Sequence, residues 1–169
     1  MAYYGSHLAT MDKGRVSLPA EYAAAWPSQT LSATLEFTEA GLIIACYERT
    51  PDLRDYRERR RKDYVRMLLG KGMKPVDACA HALHDVKSHI RFIDVPIVDR
   101  SVALDQLIAD AKLSQPLRWV GFVPCFNDKH GKLDGIELWS ENRYQQAMRD
   151  VSQELHVTQN KRVGWPGVA

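Results

Sequence analysis

The order of segments along this chain of 169 residues occurs twice, and that repetition limits its fold more than any other feature. In the first copy, GRVSLP (Gly14–Pro19) alternates apolar and polar residues as a strand does, and Gly14 supplies the backbone freedom of a turn into it. Pro19 closes that strand and suits the first turn of the alanine-rich helix AEYAAAW (Ala20–Trp26). LSATLEF (Leu31–Phe37) places apolar residues at every second position, TEAG turns, and LIIACY (Leu42–Tyr47) completes a hairpin. TPDLRDYRERRRKDYVRMLLG (Thr50–Gly70) sets Leu53, Tyr56, Arg60, Tyr64, Met67 and Leu68 at helical spacing. Thr50 is its expected N-cap, Pro51 its first residue, and Gly70 or Gly72 its stop.

The second copy begins with IRFIDVPIVDRSVAL (Ile90–Leu104), a β-prone stretch around the charged pair Asp99-Arg100. DQLIADAKL (Asp105–Leu113) follows as a short helix. LRWVGFVPCF (Leu117–Phe126) and IELW (Ile136–Trp139) are strands about the turn NDKHGKLDG, and SENRYQQAMRDVSQEL (Ser140–Leu155) is an amphipathic helix with Ser140 as its expected N-cap. Both copies run strand, charged turn, strand, short helix, hairpin, long helix. Neither alone buries enough apolar surface to stand well by itself. The expected class is α+β, with two pseudo-symmetric β-rich halves, residues 1–73 and 90–156, sharing a core between flanking helices. Residues 74–89, within KPVDACAHALHDVKSHI, form an inserted helix or linker, and the polar, Gly/Pro-rich 157–169 is expected to be a flexible tail.

Composition narrows the function classes. Apolar residues at 45% and charged residues at 26% are globular values, and a formal net charge of +2 leaves any nucleic-acid site to local clustering. No apolar stretch reaches the ~20 residues of a membrane span, and MAYYGSHLAT lacks the basic region and apolar run of a signal peptide. Cys46, Cys79 and Cys125 are odd in number and widely spaced, which reads as reduced thiols in a cytoplasmic protein. There is no nucleophile elbow, phosphate loop or dinucleotide fingerprint, and Cys125 with His130 lacks the spacing of a nucleophile–base pair, so neither an enzyme nor a cofactor is expected. His81, His84 and Asp85 share a helix near Cys79 and His89, but no second ligand cluster accompanies them. A solvated or partly buried helix surface is the preferred reading, with no metal, and a small hydrolase or metal-dependent enzyme using that His-rich segment is the weakest of three functional alternatives. NDKHGKLDG has the Asp and Gly of an ion-binding loop without its terminal Glu, and reads as a hairpin turn.

The segment TMDKGRVSLPAEY (Thr10–Tyr22) carries the chemistry. Lys13 and Arg15 flank a turn between strands, where a lysine can meet a phosphate and a guanidinium can pair bidentately with guanine. Gly14 lets the backbone approach closely, and a β-element fits a major groove about 12 Å wide. The candidate DNA-binding residues are therefore Lys13, Gly14 and Arg15, with Arg100 in the second half. An alternative stands at each place: a local Asp12–Arg15 ion pair pinning the hairpin, and a structural salt bridge for Arg100 beside Asp99 and Asp94. The run RERRRK (Arg57–Lys62) reads as a solvated helix face.

Four stretches in order, DKGRVSLP (Asp12–Pro19), RKDYVRMLLGKG (Arg61–Gly72), WVGF (Trp119–Phe122) and IELWSENRY (Ile136–Tyr144), resemble the MraZ family of bacterial transcriptional regulators, within the AbrB-like swapped-hairpin class. The family places Asp four residues before Arg in both halves. Here Asp12 lies three before Arg15, Pro96 lies four before Arg100, and Asp99 replaces a glycine. The resemblance implies two AbrB/MraZ-like halves forming a swapped-hairpin β-barrel. It implies a sequence-specific DNA-binding regulator, a repressor that binds double-stranded promoter repeats, and a nucleoid-associated homo-oligomer in the form of a ring. The degenerate second motif and near-neutral charge leave open an oligomeric protein-interaction module that keeps the fold and has lost DNA binding.

Overall fold

A computed structural model describes residues 6–25, 28–122 and 135–163. The first copy supplies β1 (Ser6–Ala9), β2 (Met11–Asp12), β3 (Arg15–Ser17), helix α1 (Ala20–Ala25), the hairpin β4 (Thr30–Thr38) and β5 (Gly41–Tyr47), and the long helix α2 (Leu53–Gly70). Helix α3 (Pro75–His89) follows. The second copy supplies β6 (Ile93–Val98), β7 (Ser101–Ala103), α4 (Asp105–Asp110), β8 (Leu117–Phe122), β9 (Gly135–Ser140) and α5 (Glu141–Val163). The expected elements are thus present. The last helix runs to Val163, into the stretch expected to be a flexible tail, while Cys125, His130 and, apart from Gly135 at the start of β9, the turn expected at Asn127–Gly135 lie outside the described residues.

Two helix ends differ from expectation or sharpen it. Asp52, not Thr50, caps α2, accepting a hydrogen bond from the Asp55 amide at 2.9 Å. Thr50 instead shares a 2.7 Å hydrogen bond with Ser32 on β4. At the other end Gly72 adopts φ +89°, and the Met73 and Gly72 amides reach back to Leu68 and Leu69, so the glycine-rich stop is a Schellman turn.

All strand pairs are antiparallel, in the order β1-β8-β9-β5-β4-β6-β7-β3-β2. The two ends of that order, β1 and β2, are separated along the chain by Thr10 alone, so the sheet is a nearly closed barrel. Its interior holds Val16, Leu31, Ile44, Leu117, Trp119 and Leu138, none measurably exposed. The Trp119 indole donates to the Ser17 carbonyl at 2.8 Å, which satisfies the one polar atom of that ring.

The register of the ladders recurs between the copies. Adding 86 to the residue numbers turns the β2–β3 pair Met11–Val16 into the β6–β7 pair Ile97–Val102, and exchanging residues 86 apart turns Ala9–Leu117 into Val95–Leu31. Beyond the tip of the β4–β5 hairpin the shift becomes 92, because six residues lie between the paired Glu36 and Ile43 and twelve between the corresponding Phe122 and Gly135; Ala33–Cys46 then becomes Trp119–Leu138. Two pairs exchange onto themselves: Val16–Val102 in β3–β7 and Ala45–Glu137 in β5–β9. The copies therefore do not sit side by side. They pair strand to strand at both places.

Candidate nucleic-acid interface

Two hairpins, β2–β3 and β6–β7, join through β3–β7 into a four-stranded ribbon. A two-residue loop ends each hairpin: Lys13-Gly14 and Asp99-Arg100. All four loop residues have positive φ, at 51°, 78°, 50° and 56°, the backbone of a type I′ turn that matches the twist of the flanking strands. Glycine adopts that region freely. A β-carbon makes it costly, so Lys13, Asp99 and Arg100 hold strained positions. Gly14 has a second reason to lack a side chain, since a Cβ there would stand 3.2 Å from that of Asp105 at the start of α4.

The strand register reassigns the second site. The residue corresponding to Arg15 is Ser101, not Arg100, which takes the place of Gly14. Arg15 and Ser101 meet directly: the Arg15 Nε donates to Ser101 Oγ at 2.9 Å and Nη2 to the Ser101 carbonyl at 3.0 Å. Ser101 Oγ in turn donates to the Val98 carbonyl at 2.8 Å, and the Leu18 amide donates to the Arg100 carbonyl at 2.7 Å. Arg15 thus reaches across the ribbon from the first hairpin and braces the loop of the second. The local Asp12–Arg15 ion pair does not form, although the two residues face each other across β2–β3.

Lys13 and Arg100 are exposed and make no ion pair among the described residues, so the expected salt bridge of Arg100 with Asp99 or Asp94 is absent. Antiparallel pairing sends the two loops to opposite ends of the β3–β7 pair. Four residue steps separate Gly14 from Arg100, about 13 Å along the ribbon at ~3.3 Å per residue. Carboxylates accompany the cations: Asp12, Asp99 and Asp105 are exposed and flank the loops.

The remaining charged residues of note sit elsewhere. Arg60 of the RERRRK run turns inward, its Nε 2.8 Å from Glu36, a β4 residue only 4% exposed. The same carboxylate accepts from the Tyr56 hydroxyl and the Phe37 amide. Burial first, and Glu36 second, push the Tyr56 phenol far above its ordinary range. Burial also raises Glu137 on β9, the strand beyond β5, to about 7, while the Trp139 indole at 3.3 Å pulls in the opposite direction. Arg61 pairs with Glu58, and Arg57 caps the Ile90 carbonyl at the end of α3. His81 and His84 are exposed, and Asp85 accepts from Tyr64, so the histidine segment converges on no common point. No group of three or more metal-ligating side chains gathers among the described residues, and none of their helices is long and apolar enough to cross a membrane.

Sequence reasoning missed Ser101 and Asp105 because their roles come from strand pairing across the two halves, and Glu36 because no local signal marks a buried acid between the apolar positions of its strand. Compared with known proteins, the chain matches no protein-family model, no curated protein and no solved structure.

Proposed function

We propose that the protein is a sequence-specific DNA-binding transcriptional regulator, a repressor, built from two pseudo-symmetric AbrB/MraZ-like halves. The recurring register and the two self-exchanging strand pairs support the duplicated architecture. One observation carries the functional reading: two strained loops, Lys13-Gly14 and Asp99-Arg100, each with one exposed cation, stand about 13 Å apart along the ribbon, close to the ~12 Å width of a major groove. Strain of this kind persists where a site needs it. In this reading Lys13 and Arg100 contact DNA, Gly14 allows close approach, and Arg15 holds the second loop in place. Assembly into a homo-oligomeric ring, as the MraZ resemblance implies, would present several ribbons along promoter repeats and raise avidity.

Fluorescence anisotropy with labelled duplex from the upstream region of its own gene, at two salt concentrations, tests this. Each of Lys13→Ala and Arg100→Ala is expected to reduce the salt slope by about 0.9, the value for one lost phosphate contact. Binding that is absent, or insensitive to both substitutions, rejects the reading. The three carboxylates beside the loops favour a second one, a protein-interaction module that keeps the fold without binding DNA. That reading predicts self-association or partner capture with no salt-dependent DNA affinity.

A further inference from the structure

Helix α3 has two apolar faces, whereas a helix lying on a core needs one. Ala78, Ala82 and Val86 form the buried face. Val76, Ala80 and Leu83, spaced i, i+4, i+7, form a second stripe in solvent, with Val76 81% and Leu83 63% exposed. The stripe leads into a groove of about 480 Å³ between α2 and α3, where Leu53, itself 37% exposed, Leu83 and Val86 provide the apolar lining.

The rim of the groove is cationic: Arg54, Arg57, Arg61 and Lys87 face one carboxylate, Glu58. Glu58 is occupied by Arg61 at 2.7 Å. Arg57 gives two hydrogen bonds to a neutral carbonyl, which leaves its charge uncompensated. Arg54 and Lys87 have no ion pair among the described residues. The site thus joins an apolar seam to three unneutralised cations.

We infer that this groove docks an acidic amphipathic helix of a partner protein, its aliphatic residues on the Leu53–Leu83 seam and its carboxylates on Arg54, Arg57 and Lys87. In helix-in-groove recognition the incoming helix presents apolar anchors at i, i+4 and i+7, and the α3 stripe of Val76, Ala80 and Leu83 offers them an apolar row of the same repeat. A second copy of the chain bringing the same groove would set cations against cations. A nucleic-acid backbone would leave the apolar seam without a counterpart. The groove belongs to elements other than the ribbon, so the assignment does not depend on DNA binding.

The test uses the full-length protein and three fluorescein-labelled helical peptides: one with leucines at i, i+4 and i+7 flanked by glutamates, one with lysines replacing the glutamates, and one with glutamines replacing the leucines. The glutamate–leucine peptide is expected to bind at least about tenfold more tightly than either control. Leu83→Glu should weaken it about tenfold, the loss of one aliphatic contact, and Arg54→Glu with Lys87→Glu should reverse the preference to the lysine peptide. Both variants change exposed side chains, and unaltered circular dichroism and melting confirm the fold. Equal binding of acidic and basic peptides, or none, overturns the inference. So does a dimer that Leu83→Glu dissociates in sedimentation, which assigns the groove to a second copy, or a DNA affinity lost in the double charge reversal.

Discussion

Arg15→Ala separates a brace from a base contact. The guanidinium makes two hydrogen bonds to Ser101, at 2.9 and 3.0 Å, and both lie in the DNA-free protein. A charged donor contributes about 1.5–3 kcal/mol per bond when buried, but Arg15 is half-buried and water recovers part of that, which leaves about 2 kcal/mol for the pair. Arg15→Ala is therefore expected to lower the unfolding free energy by about 2 kcal/mol, and Ser101→Ala, which removes only the hydroxyl acceptor, by about 1 kcal/mol. The double variant should cost less than the two added together, by roughly 1 kcal/mol. Arg15→Lys should recover less than half, because one ammonium does not span both acceptors as the planar fork does. Urea unfolding without DNA, followed by circular dichroism and tryptophan fluorescence, reads all four. If Arg15→Ala stays within about 0.5 kcal/mol of wild type while DNA affinity collapses, the brace is refuted and Arg15 returns to a base edge.

Three further outcomes follow from the same geometry. Arg100→Gly is expected to raise stability by about 1 kcal/mol, since glycine accepts φ 56° without strain, while it weakens DNA binding; a stability loss in melting experiments would contradict the turn geometry. Glu36→Ala should cost about 3 kcal/mol in denaturant unfolding, because it removes the carboxylate that accepts from the Tyr56 hydroxyl and the Arg60 Nε and leaves the buried part of that guanidinium unpaired, and adding Tyr56→Phe should restore little, since the Tyr47 hydroxyl remains as a partner for Tyr56. Glu137 has a folded pKa of about 7 against 4.5 for its ordinary value, so the folded state binds the proton more strongly and stability falls as pH rises between them. From about pH 8 down to about pH 5, wild type should gain up to about 2 kcal/mol relative to Glu137→Gln, part of the full shift being screened because Glu137 is incompletely buried; parallel pH curves for the two proteins would remove the assignment.

Much of the fold was legible in the chain because local signals and tertiary roles agreed. The alternation in Leu31–Phe37, the glycines closing α2 and Pro75 opening α3 each name their element without help. What the chain hid was pairing. Arg100 stood out as the counterpart of Arg15 by residue type, yet the ladder places Ser101 there, a serine with no charge to announce it. Glu36 lies between the apolar positions of β4 with nothing local to mark it, yet α2 and α3 cover that face of the strand and make its carboxylate a buried anchor. The α2–α3 groove was equally hidden, since the second apolar face of α3 can be told from the first only once Ala78, Ala82 and Val86 are seen to be buried.

The interlocked register bears on how the chain can be made. While only the first copy has left the ribosome, the outer edges of the β4–β5 hairpin and the free edge of β3 are unpaired, because β6, β9 and β7 cover them and come later. Bare strand edges of this kind pair with whatever edge is nearest. On a message carrying several ribosomes, the nearest complementary edge is the same hairpin of the neighbouring nascent chain. Closure of the barrel must wait until β9 is exposed, so translation speed through the second copy, not the stability of the first, sets how long each chain is open to exchange with its neighbours.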